Sequence, residues 1–107
     1  MSKLSKLDAT IQEKTKVIFR KFPDGEVIAL FPELPGDNDV RNCLSYQHIG
    51  QHGKAEASLH YTKPADYNQD VDAVKLWNEL TAIGYNLTVV TRFSYQMDRK
   101  RIAAIRK

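Results

Sequence analysis

The sequence predicts an α+β fold: an antiparallel sheet of about five strands, one main helix packed on one face, and short terminal helices. Three observations predict it. Short β-rich runs alternate with turn residues over positions 16–61. One amphipathic helical stripe follows at about 70–83, and a further strand comes directly after it. Hairpin-linked strands followed by a helix bury a sheet face beneath that helix.

Leu4, Leu7 and Ile11 stand at helical spacing within residues 4–14, a short helix that needs packing to persist. Residues 16–22 and 26–31 read as a β-hairpin around Pro23-Asp24-Gly25. Proline presets φ for a type I turn, and Gly25 can take the left-handed position after it. Residues 32–42, with Pro32, Pro35, Gly36, Asp37, Asn38 and Asp39, read as a loop. Like Pro23 and Pro64, these prolines lie where turns are expected. Residues 43–49 look like a third strand, and Gly50 and Gly53 bracket Gln51-His52 as a turn.

Further on, residues 55–61 alternate as a half-buried strand does. Ala55, Ala57, Leu59 and Tyr61 share one face, with Glu56, Ser58 and His60 on the other; the alanines leave a helix as the alternative. In the helix at 70–83, Ala73, Leu76, Trp77, Leu80 and Ile83 form one apolar stripe. Asp70 suits its N-cap, and Gly84 suits the left-handed position past its end, with Tyr85 folding back on Leu80. A strand at 87–93 places Leu87, Val89 and Phe93 on one face. Residues 98–107 form a last helix capped by Asp98, with Ile102 and Ile105 its only large apolar residues.

The first hairpin is apolar on both faces. Val17, Phe19, Val27, Ala29 and Phe31 share one, and Ile18, Phe22, Ile28 and Leu30 share the other. A sheet with one solvated face alternates apolar with polar. The second face therefore needs a cover: the N-terminal helix, the C-terminal helix or a second subunit. A homodimer joined at or near Ile18, Phe22, Ile28 and Leu30 is the expectation, because the last helix has few apolar residues to offer.

The 107 residues, 42% hydrophobic and 27% charged, suit a single globular domain, 1–107, with 1–14 and 95–107 as peripheral or flexible basic ends. A lone cysteine, Cys43, closes no internal disulfide. No apolar run is long enough to span a membrane, and the N-terminus lacks a signal-peptide core, so the expected location is cytoplasmic. Charge is segregated: residues 1–21 balance at +4, 22–91 at −6 and 92–107 at +5. Only the ends offer a polyanion a basic surface.

Val27-Ile-Ala-Leu-Phe-Pro-Glu33, Ser45-Tyr-Gln-His-Ile-Gly-Gln-His-Gly53 and Ile83-Gly-Tyr-Asn-Leu87 resemble segments of small proteins of bacterial and phage genomes. That resemblance implies a bacterial or phage accessory protein. The group has no known activity, so it assigns no functional residue.

Several constellations bear on chemistry. Cys43, His48, His52 and His60 follow the spacing C-x4-H-x3-H-x7-H, which supplies zinc-type ligands in no established zinc pattern. Gly50 argues against the helix on which an H-x3-H pair works best, and on a strand Cys43 and His48 point to opposite faces. Neither a metal nor a cofactor is expected. Cys43 lacks a catalytic-cysteine signature, and the pairs Glu33/Asp37 and Asp70/Asp72 sit where acidic residues have structural roles. Tyr46, His48, Gln51 and His52 make a candidate interaction surface, against the plain alternative of a tight turn. Arg92, Arg99, Lys100, Arg101, Arg106 and Lys107, with Tyr95 nearby, are the candidate nucleic-acid contacts.

Together these point first to a non-enzymatic protein-interaction module, self-associating as a homodimer or binding another protein. The alternative is a small nucleic-acid-binding protein using its basic ends. A third reading is an enzyme or metal protein using Cys43, His48 and His52. No membrane partner is expected.

Overall fold

A computed structural model of the chain describes residues 14–47, 51–56 and 62–106. The expected N-terminal helix over 4–14 lies almost entirely outside them. In chain order the elements are β1 (Thr15–Lys21), β2 (Val27–Pro35), β3 (Asn42–Gln47), β4 (Gln51–Glu56), β5 (Lys63–Pro64), α1 (Val71–Ile83), β6 (Leu87–Val89) and α2 (Tyr95–Ile105). The fold is α+β. The sheet runs β4-β3-β2-β1-β5, and β6 also pairs with β1. Every pairing is antiparallel except β1 with β6, which aligns Thr15↔Leu87 through Val17↔Val89 in parallel. The outer edge of β1 is thus shared, by β6 along its first half and by β5 opposite Arg20 and Lys21.

The β1–β2 hairpin forms as the turn residues dictate. Phe22 N–H donates to the Glu26 carbonyl at 2.8 Å, and Gly25 N–H to the Phe22 carbonyl at 2.9 Å. Asp24 Oδ1 accepts from Glu26 N–H at 3.0 Å, and Gly25 sits at φ 96°, where a side chain would be strained. Both strands are central in the sheet, which explains their two apolar faces.

Beyond Phe31 the structure departs from the expected loop over 32–42. β2 continues to Pro35, with a register shift between Phe31, opposite Leu44, and Pro35, opposite Cys43. An irregular pairing tolerates two residues that lack an N–H donor. Pro32, Pro35 and Pro64 accordingly lie in strands rather than in turns.

β4 also differs from expectation. Gln51 and His52 are strand residues opposite Gln47 and Tyr46, and Gly53 pairs with Ser45. Glycine contributes no packing to a strand, but cross-strand pairing overrides that weak preference. Of the strand expected over 55–61, Ala55 and Glu56 belong to β4, and 57–61 lie outside the described residues.

α1 follows its predicted caps. Asp70 accepts from the Asp72 and Ala73 backbone N–H groups at 3.0 and 3.3 Å. At the other end Gly84, at φ 123°, donates to the Thr81 carbonyl at 3.1 Å, and Tyr85 N–H donates to that of Leu80 at 3.1 Å. Ala73, Leu76 and Leu80 are buried, whereas Ile83 is exposed and leaves the expected stripe. The buried face of α1 closes the first core, with Val17, Phe19, Val27, Ala29, Phe31 and Tyr46.

A second core holds Ile18, Ile28, Leu30 and Cys43, with Phe22, Ala55, Val90 and Phe93 against it. Phe93 therefore departs from the Leu87/Val89 face, because β6 ends at Val89. α2 packs on β2, and Arg101 is near enough to Cys43 for its charge to oppose the burial of that thiol.

Two expectations are corrected here. Ile18 and Ile28 are buried and Leu30 is 0% exposed within one chain, so these three are core residues and no free dimer contact; Phe22 is half-buried against them. Nor is 95–105 a peripheral end. α2 starts at Tyr95 with Ser94 as its N-cap, not at Asp98, and buries Met97 and Arg101 rather than Ile102 and Ile105. An N-cap four residues earlier brings Met97 into the helix one turn before Arg101.

Candidate functional site

Two surfaces gather the candidate residues. The first lies between β3–β4 and α1, where pairing sets Tyr46 directly opposite His52. Tyr46 is only 2% exposed, so it is core and not an interaction surface. Its hydroxyl donates to Glu79 Oε1 at 2.8 Å, and burial with that carboxylate raises its pKa. His52 is exposed; its Nε2 lies 2.9 Å from the Tyr85 hydroxyl, and its ring meets Tyr46 edge-on at 5.0 Å between centroids. Tyr85 in turn stacks on Phe31 at 5.1 Å. Tyr85 and Glu79 were not legible as partners, because each lies 33 residues from the side chain it meets. His48 lies outside the described residues, as does the side chain of Gln51.

Beside this cluster is a cleft of about 390 Å³ lined by Glu26, Ser45, Gln47, His52, Lys54 and Lys75, among others. Its charges are mixed in sign. Lys54 is already engaged, with its ammonium 2.9 Å from Asp37 Oδ2. That bond, then the Asp39 backbone N–H, holds the Asp37 carboxyl below its ordinary range. Among the described residues no buried side-chain polar atom lacks a hydrogen-bond partner.

Cys43 lies on the other face of β3. It belongs to the second core, while His52 packs on the first. The two therefore act neither as a catalytic dyad nor as ligands of one metal. Burial pushes the Cys43 thiol up to about 11, which leaves almost no thiolate at neutral pH. His60 lies outside the described residues, and among those described no three His, Cys, Asp or Glu residues group as metal ligands.

The second surface is the outer face of α2. At about 100° per residue, Tyr95, Arg99 and Arg106 fall within an arc of about 40°, opposite buried Met97 and Arg101. Tyr95 is 74% exposed, and the Arg99 guanidinium lies 5.7 Å from its ring centroid. Arg92, Arg99 and Arg106 are exposed. Lys100 is also exposed but reaches Glu33 Oε1 at 3.4 Å, a carboxylate that Lys16 meets at 3.3 Å. Arg101 is removed from the candidate contacts: it is 3% exposed and donates to the Pro32 and Val40 carbonyls. Lys107 lies outside the described residues.

α1 with its cap is net acidic, Asp70, Asp72 and Glu79 against Lys75, and α2 with its flanks is net basic, Arg92, Arg99, Lys100, Arg101 and Arg106 against Asp98. No helix among the described residues is long and apolar enough to cross a membrane. No family model, curated protein or solved structure matches the chain.

Proposed function

We propose that the protein binds nucleic acid, holding phosphates on the outer face of α2. One observation carries the reading. Arg92, Arg99 and Arg106 are exposed, Arg99 lies over an exposed tyrosine, and none of the three forms an ion pair with a carboxylate among the described residues. A guanidinium is always charged and offers planar pairs of donors to phosphate oxygens. Acidic residues on α1 and its cap bias a polyanion toward α2. Phosphate contacts carry no sequence information, so the reading is of sequence-independent binding. Self-association through the hairpin loses its physical motive, because Ile18, Ile28 and Leu30 are covered within one chain.

Fluorescence anisotropy with a labelled oligonucleotide of mixed sequence tests this. Affinity should fall with salt by about 0.7 to 0.9 log units per tenfold increase for each phosphate neutralised. Replacing Arg99 and Arg106 together by Gln should lower that slope by about 1.4 to 1.8. No binding at about 50 mM salt removes the proposal.

A further inference from the structure

We infer that the α2 face takes single-stranded rather than duplex nucleic acid, with the Tyr95 ring as the platform on which one base stacks; this rests on the phosphate-binding reading above. Tyr95 is the most exposed of the large hydrophobic residues among those described, at 74%. It is also well placed. As the first residue of α2 it follows the Ser94 cap, whose hydroxyl accepts from Met97 N–H at 3.3 Å. The helix it begins is fixed to the sheet by buried Met97 and Arg101. Its ring therefore projects from an anchored element.

The Arg99 guanidinium lies over one face of that ring, 5.7 Å from its centroid, and a base would stack on the other. A nucleotide presents the same two groups side by side, a flat base and a phosphate. Arg106 continues the line about 10 Å along the helix, and Arg92 precedes it in the chain. Arg106 can hold a phosphate farther along the strand while the base sits on Tyr95. A duplex cannot use this arrangement. Its base faces are already stacked on one another, and only the base edges reach a helix in a groove. An unpaired base has a free face whatever its identity, which matches a site of ring and cations.

The probe is a labelled single strand of about 12 nucleotides, mixed in sequence, compared with its own duplex at low salt. The single strand should bind about tenfold more tightly than the duplex. Tyr95→Ala should weaken single-strand binding by about tenfold with an unchanged salt slope, since the ring neutralises no phosphate. Tyr95→Phe should restore the loss. Arg99→Gln should instead reduce the slope by about 0.7. Because Tyr95 is exposed, the urea midpoint of Tyr95→Ala should match that of the unaltered protein. Equal affinity for the duplex, or no effect of Tyr95→Ala, overturns this inference and leaves phosphate binding standing. Binding to neither strand form overturns both, and so does binding only to vesicles containing anionic lipid.

Discussion

Arg101 Nη1 donates to the backbone carbonyl of Pro32 at 2.7 Å, deep beneath α2. The same guanidinium reaches the Val40 carbonyl through Nη2 at 3.1 Å, and Asp98 Oδ1 lies 2.9 Å from Nη1. Pro32 lies where the β2–β3 register shifts, and Val40 lies in the turn before β3, so regular sheet pairing does not serve these carbonyls. A buried carbonyl without a donor is costly, and the forked guanidinium satisfies two at once.

Arg101→Ala should lower the stability of the protein by about 3 kcal/mol, because it strips the buried Pro32 carbonyl and the part-buried Val40 carbonyl of a charged donor. Arg101→Lys should recover little, since a single ammonium does not reproduce the fork. Urea unfolding followed by the fluorescence of Trp77 checks this. An unchanged midpoint in Arg101→Ala would show that α2 is held by other contacts.

Gly36 predicts a second sensitive position. A Cβ there would lie 2.5 Å from the Cys43 carbonyl oxygen and 2.8 Å from the Lys54 Cβ, both on the strands it passes. Gly36→Ala should therefore destabilise by about 1–3 kcal/mol through overpacking. Gly53 is the control, since a Cβ there would meet only Ser45 Oγ at 3.6 Å. Thermal melts should show a clear loss for Gly36→Ala and little change for Gly53→Ala. The reverse order would contradict the close approach at Gly36.

Asp70 couples the cap of α1 to β1. Lys21 Nζ lies 2.7 Å from Asp70 Oδ2. That bond, helped by the Ala73 and Asp72 N–H groups and opposed by burial, holds the Asp70 carboxyl below its ordinary 3.8. The charged form is thus favoured by folding. Its contribution is fully present above the ordinary value and fades as pH falls through the lower folded one. Lys21 is shifted up from 10.5, chiefly by the same hydrogen bond, so its share is complete below that value and is lost as pH rises through the folded one.

Asp70→Ala should cost about 1 kcal/mol at neutral pH, most of it from the lost cap. Asp70→Asn keeps a capping oxygen and should mainly flatten the decline of stability below about pH 4. Unfolding midpoints measured from pH 2 to pH 7 would reveal this (about five conditions suffice to define the slope). An equally steep acid decline in Asp70→Asn would assign that decline to other carboxylates.

The residues that were legible in the sequence are those whose partners lie close along the chain. Pro23-Asp24-Gly25 closes its turn through bonds among residues 22–26, Asp70 caps through N–H groups two and three residues on, and Gly84 ends α1 through carbonyls three and four residues back. The two apolar faces of the first hairpin were equally readable, because strand alternation alone assigns each residue to a side. What lay over each side was not. An arginine at the buried position of α2 breaks the apolar period, and only folding brings the Pro32 and Val40 carbonyls to it. Tyr46 follows the same logic: its strand position put it on a face, but Glu79 and the landing of α1 made it core. Local hydrogen bonds and alternation are properties of short segments, so the sequence by itself determined them. Burial and the pairing of distant polar groups depend on which elements meet, and that only the tertiary structure decided.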